Sequence, residues 1–226
     1  MKRIMIKGPI IANEEAWIYE HFGIDATNSK TVNQIIDTAM GDDLEVEINS
    51  GGGSVFVGSE IYTALKSYSG NVTVKIVGLA ASAASVIAMA GKKVIMSPTA
   101  QLMIHNVSTY ADGDYRDMEH ASEVLKNAND TIANAYRLKT GKSQEELLAL
   151  MDKESWFTAQ KAKEIGFIDE VMFEQTQLVA SKYSGMLPPQ VIETMRNSKM
   201  KQQEPIDGDA VFLYSKLKLL KMKGVN

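Results

Sequence analysis

The 226-residue chain contains no cysteine, only three histidines and five prolines, and 7% aromatic residues. Without cysteine there is no disulfide framework, no thiolate nucleophile and no cysteine-bound zinc. Any chemistry must come from hydroxyls, carboxylates, amines or imidazoles. Long hydrophobic runs are missing as well. The longest uncharged apolar stretch, Ile76 to Ala90, is rich in small residues and shorter than the ~20 residues of a membrane span. Lys7 interrupts the apolar start MKRIMIKGPII well short of a signal-peptide core. The expectation is a cytoplasmic protein without membrane contact. Positive charge is not in excess: 24 Lys and Arg stand against 28 Asp and Glu, a net charge of −4. Phosphate-backbone affinity rests on clustered Lys and Arg, so a general nucleic-acid binder is disfavoured.

What is present suffices for one sizeable core, with 45% hydrophobic residues. The β-like runs RIMIKG, LEVEINS, VTVKIVG, KKVIMS and QLMIHN alternate with segments of helical apolar spacing, which predicts an α/β fold. Two helices are expected between the first two runs, one holding Trp17 and one over TVNQIIDTAM, the latter closed by Gly41. A long helix is predicted from Asp114 to Lys139, with Met118, Ala121, Leu125, Ala128, Ile132 and Ala135 forming a heptad-like seam. That seam packs either on the protein's own core or on another subunit. Beyond Phe173 the character changes, with two prolines in MLPPQ, a polar run over 196–207 and a basic apolar end, VFLYSKLKLLKMKGVN. The expected organisation is a domain over 1–175 and a flexible or partner-dependent tail over 176–226. Lys216, Lys218, Lys221 and Lys223 in that tail read as a solvated helix face.

Candidate chemistry lies at three places. In GLAASAASVIAMAG, residues 78–91, a strand is expected to hand over to a helix at Ser82, where unpaired N–H groups converge and small neighbours admit a substrate backbone. Ser82 is then either a nucleophile or a simple N-cap, and Ser85, one turn on, is a packing residue. A nucleophilic serine needs a base. His21 and His120 fall in charge-rich helical segments, whereas His105 ends the apolar run QLMI and sits at a strand end. The third place is NSGGGS, residues 49–54, whose glycines can turn backbone N–H groups toward a ligand. It lacks the lysine of a P-loop and the GxGxxG spacing, which disfavours nucleotide binding.

INSGGG, GLAAS and LMIH, in this order and at these spacings, resemble the motifs of the Clp-type proteolytic subunits, a family of serine peptidases. The resemblance covers residues 3–173. It implies a ClpP/crotonase-like ββα spiral with a protruding helical handle over 114–140. It also implies Ser82 as nucleophile, His105 as general base, and the N–H groups of Gly53 and Ala83 as the oxyanion hole. No metal and no organic cofactor is implied. Partners implied are protein or peptide substrates and other copies of the chain, in a heptameric ring or stacked double ring.

Three departures from the family pattern stand out. Gly51 replaces a proline, and the sequence starts almost directly at the first strand, where other members carry axial loops that serve an ATPase. The run Asp152-Lys153-Glu154-Ser155-Trp156 stands where the family has its acid. Alignment on Trp156 puts Glu154 at the acid position, with Asp152 as the alternative. If the run is extended, both side chains point the same way. The short start, MDKESWFTAQKA and the polar tail resemble the prophage branch, associated with head maturation, which would add capsid proteins as partners. The expected function is an ATP-independent serine endopeptidase acting through an acyl-enzyme. Two alternatives stay open: a crotonase-like acyl-CoA hydratase or isomerase, and a catalytically inactive scaffold or assembly ring.

Overall fold

Alternation of charged and apolar residues in the first strand, β1 (Lys2–Ile10), sends Ile4 and Ile6 inward and Arg3 and Met5 outward. The same period runs through β2 (Leu44–Gly53), β3 (Val72–Ala81) and β4 (Lys93–Met96). Val46, Ile48, Val74, Ile76, Val94 and Met96 are fully buried. The computed structural model describes residues 1–174; the expectations for the C-terminal tail, including its four lysines, lie outside the described residues.

The five predicted strands form, completed by β5 (Gln101–Ile104), and two further ones join them: β6 (Ser155–Thr158) and β7 (Glu170–Val171). The sheet order is β1-β2-β3-β4-β7, all parallel. β5 adds a parallel pairing to β3, and β6 runs antiparallel to β5. β7 escapes a reading by alternation because it is only two residues long, and β6, as long as β4 and β5, carries no alternation of polar and apolar residues in Ser155-Trp156-Phe157-Thr158.

β3 changes neighbour along its length. Thr73–Ile76 pair with β4, whereas Leu79–Ala81 pair with β5. The sheet therefore forks just before the chain reaches Ser82. On the opposite edge, β2 follows β3 through the fork with a register shift between Ile48 and Ser50. Asn49 Oδ1 accepts the Leu79 N–H at 3.1 Å there. A Cβ on Gly78 would lie 2.5 Å from that same oxygen, so a side chain there would push the Asn49 amide off the Leu79 N–H.

One sheet face is covered by α2 (Ser29–Ala39), α3 (Val55–Ser67) and α4 (Ala83–Ala88), whose Val32, Ile61, Leu65 and Ile87 join the core. The first helix, α1 (Ala16–His21), holds an exposed Trp17. α2 ends one residue earlier than expected, because Met40 already adopts a left-handed conformation (φ 50°) ahead of Gly41. Parallel sheets are ordinarily covered on both faces. Here the outer face is made compatible with water by ion pairs, with Lys75 2.6 Å from Glu45, Arg3 beside Glu45 and Glu47, and Lys93 2.5 Å from Glu170.

The long helix is α5 (Tyr115–Thr140), capped by Asp114, whose side chain accepts the Arg116 N–H at 2.9 Å. Its 26 residues span about 39 Å. Only the root is buried, through Ile132, Ala133, Ala135 and Tyr136. Of the predicted seam, Ile132 and Ala135 pack on the protein's own core. Met118 is exposed, and Ala121, Leu125 and Ala128 are half-buried. α6 (Gln144–Asp152) and α7 (Ala159–Ile165) complete the fold. Among the described residues, no helix is long and apolar enough to cross a membrane.

Candidate active site

Ser82 links the end of β3 to the first residue of α4 with φ 54° and ψ −127°, a conformation that a residue with a side chain rarely adopts. Such strain costs about 1–3 kcal/mol and persists only where the surroundings enforce it. The enforcement is visible. The Ser82 N–H donates to the Met103 carbonyl of β5 at 3.1 Å, and its own carbonyl accepts the Ser85 N–H at 2.9 Å. Ala80, Ala81, Ala83 and Ala84 are all buried, and a Cβ on Gly58 of α3 would lie 2.9 Å from the Ala83 Cβ. Small residues are needed on both sides of this elbow. Ser82 does occupy the N-cap position of α4, yet its side chain makes no capping bond. The simple N-cap reading is thereby set aside.

The hydroxyl goes elsewhere. Ser82 Oγ lies 2.8 Å from Nε2 of His105. The β3–β5 register explains the meeting: Ala81 pairs with Met103, so the residues just beyond the two paired runs come side by side. His105 is half-buried at the strand end, as expected, while His21 and His120 remain on exposed helical faces. With Nε2 accepting the serine proton, Nδ1 carries the imidazole hydrogen. Among the described residues, that Nδ1 has no acceptor within hydrogen-bonding distance.

The glycine loop at the end of β2 closes over the elbow. Buried Ser50 donates its hydroxyl to the Gly8 carbonyl at 2.5 Å and accepts the Gly52 N–H at 3.1 Å. Gly52 (φ 97°) passes so close that a Cβ would sit 2.7 Å from both the Ala81 carbonyl oxygen and the Ser82 Cβ. At Gly53 (φ 148°) the next amide, that of Ser54, donates to the Ile10 carbonyl at 2.8 Å. Gly53, Ser82, Ala83 and His105 line one cleft of about 410 Å³. Its apolar walls come from Phe56, Val86, Ile132 and Tyr136, which sequence reading had not assigned to the site. Ile132 is visible in the sequence only as part of the helical seam, Tyr136 carries no signal there, and Asn49 and Ser50 appear only as part of a motif.

The acidic segment behaves differently. Asp152 is the last residue of α6, Lys153 caps that helix and Glu154 is left-handed (φ 46°) before β6 begins. The run is not extended, so the period-two expectation that both carboxylates point the same way fails. Asp152 Oδ1 accepts the Asn106 Nδ2–H at 2.8 Å. Glu154 Oε1 accepts the Trp156 indole N–H at 3.3 Å. Both acids are exposed and neither touches His105. The structure thus brings together Ser82, His105, Gly53 and Ala83, and leaves Glu154 and Asp152 apart from the imidazole. Among the described residues, no Asp or Glu lines the cleft.

The family model described as Clp protease matches residues 22–175. The chain belongs to the Clp protease family. An ATP-dependent Clp protease proteolytic subunit of Bacteroides fragilis is 36% identical over 137 residues, covering 60% of this chain and 66% of that protein. Proteolytic subunit 1 of the ATP-dependent Clp protease of Chlamydia abortus is 34% identical over 146 residues, covering 62% of this chain and 76% of that protein. The match to the Bacteroides protein therefore spans just under two thirds of its length. A mutant ClpP1 of Listeria monocytogenes superposes with a TM-score of 0.61 at 24% identity, over 76% of this chain and 91% of that one. The fold is the ClpP-like α/β fold.

Proposed function

We propose that the protein is a serine endopeptidase that cleaves peptide bonds through an acyl-enzyme, with Ser82 as nucleophile and His105 as general base. The observation that carries the reading is the 2.8 Å contact of Ser82 Oγ with His105 Nε2 at a strained elbow facing a cleft. His105 takes the serine proton as Oγ attacks the substrate carbonyl, then returns it to the leaving amine. The N–H groups of Gly53 and Ala83 stabilise the tetrahedral oxyanion. Glu154 is the proposed orienting acid, reached by its side chain leaving the Trp156 indole. Asp152 is the alternative, and its bond to Asn106 favours a structural part for it. Among the described residues, none gives the cleft the carboxylate that acyl-CoA hydratase chemistry requires, which weighs against that alternative. An inactive scaffold has no use for a strained serine paired to a histidine.

The wider reading is a homo-oligomeric ring, enclosing the cleft and joined through α5, that cleaves peptides or loosely folded proteins without ATP. The resemblance of MDKESWFTAQKA to the prophage branch adds head maturation, with capsid proteins as substrates or partners. A fluorophosphonate should add once per chain, on Ser82, as read by intact mass and peptide mapping. Labelling on Ser85 instead would overturn the assignment. Seven chains of 24.8 kDa make about 174 kDa, or twice that when stacked, so a monomer mass by light scattering would overturn the ring.

A further inference from the structure

Ser82 holds a second hydrogen-bonded chain that the dyad does not use. Ser85 Oγ lies 2.6 Å from the Ser82 carbonyl oxygen and 2.8 Å from the Tyr136 hydroxyl. The directions of these bonds follow from counting protons. A carbonyl only accepts, so the single Ser85 hydroxyl hydrogen goes to Ser82, and Ser85 Oγ must then accept from Tyr136. The chain runs from Tyr136 O–H to Ser85 Oγ–H to the Ser82 carbonyl. Both donors are sealed from water, with Ser85 at 0% and Tyr136 at 1% exposure. The Tyr136 ring is held edge-on by Phe167, with centroids 5.8 Å apart. Burial pushes the phenol far above its ordinary pKa, so it stays a neutral donor.

The Ser82 carbonyl belongs to the same rigid plane as the Ala83 N–H, and the two point in opposite directions. Pulling the oxygen toward Ser85 turns the Ala83 N–H away from the helix interior. The same oxygen also accepts the Ser85 N–H at 2.9 Å and the Val86 N–H at 3.3 Å. Donors on a peptide oxygen polarise the group and strengthen its N–H as a donor. Resting on the peptidase reading above, we propose that Ser85 and Tyr136 are positioning residues that fix and polarise the Ser82–Ala83 peptide, so that its N–H is aimed at the transition-state oxyanion. The α4 backbone alone would supply the two amide bonds. The buried hydroxyl pair adds the shortest contact, and Tyr136 brings it from the root of α5.

The test compares wild type, Ser85→Ala, Tyr136→Phe and the double variant in the full-length protein. Kinetics are normalised per fluorophosphonate-competent site, and binding of a peptide aldehyde, which forms the tetrahedral adduct, is measured alongside. Ser85→Ala should lower kcat and aldehyde affinity together by about tenfold with KM within about twofold, because aim is lost and ground-state binding is kept. Tyr136→Phe leaves Ser85 in place and should cost about threefold, and the double variant should be no worse than Ser85→Ala alone. Tyr136→Phe removes one oxygen and keeps the packing, so it reports even where Ser85→Ala folds poorly. Unchanged kcat and aldehyde affinity in both single variants, with only a lowered Tm, would overturn the inference and leave the peptidase reading standing. A wild type that neither binds aldehyde nor labels with fluorophosphonate would overturn that reading and this inference with it.

Discussion

The Ser82–His105 side of the site and the Asp152–Glu154 side are built by different means. On the first side, two strands paired in register deliver their terminal residues to each other, and backbone hydrogen bonds fix the distance. On the second, a helix end, a left-handed residue and a four-residue strand leave two exposed carboxylates on other partners. Geometry carried by a ladder is set when the fold is set. Geometry carried by an exposed side chain stays open to exchange of partners, since an exposed hydrogen bond contributes only about 1 kcal/mol.

This contrast can be broken most severely at the dyad. Ser82→Ala and His105→Ala should each reduce per-chain peptidase activity by about a thousandfold or more while circular dichroism stays native, because dyad members act as a unit. Next comes the backbone around them. Gly52→Ala keeps every catalytic group, yet its Cβ meets the Ala81 carbonyl and Ser82 Cβ at 2.7 Å on a backbone with φ 97°. The elbow must shift, and about a hundredfold loss of fluorophosphonate labelling rate is expected with Tm lowered by several degrees. Wild-type labelling in Gly52→Ala would mean that the ladder does not set the site.

The acidic side should respond less, and unequally. Glu154→Gln is expected to slow acylation by roughly thirty- to a hundredfold with light-scattering mass unchanged, since an unoriented imidazole retains part of its function. A near-normal rate would leave a Ser–His dyad as the whole apparatus. Asp152→Asn keeps an acceptor for Asn106 and should change the rate by threefold at most. A larger loss there than in Glu154→Gln would transfer the role to Asp152.

What the sequence makes legible follows the same division. The strands β1 to β5, the long helix, the elbow at Ser82 and the strand-end position of His105 can be read from periodicity and small-residue runs, because local backbone preferences decide them. β7 and the parting of β4 from β5 cannot, since they depend on which strand finds which edge. The Asp152–Glu154 geometry is not legible for a related reason. Nothing in DKESW announces that α6 persists through Asp152, and a left-handed Glu154 is a choice of the tertiary fold rather than of the residue. The hydroxyl chain from Tyr136 to Ser85 joins residues 51 apart and leaves no periodic trace.

That separation also sets an order of events on a growing chain. Ser82 and His105 are 23 residues apart, and the strands that bring them together lie wholly between and just before them. Contacts of short sequence separation form early, and chains emerge amino end first. The nucleophile and its base are therefore free to meet before α5 is synthesised. Tyr136, Ile132 and both candidate acids arrive only afterwards. A nascent chain would hold a loosely aimed dyad, and Tyr136, proposed to tighten it, comes from α5, the helix proposed to join the copies. Maturation of the cleft is in this way tied to completion of the part of the molecule through which copies are proposed to meet.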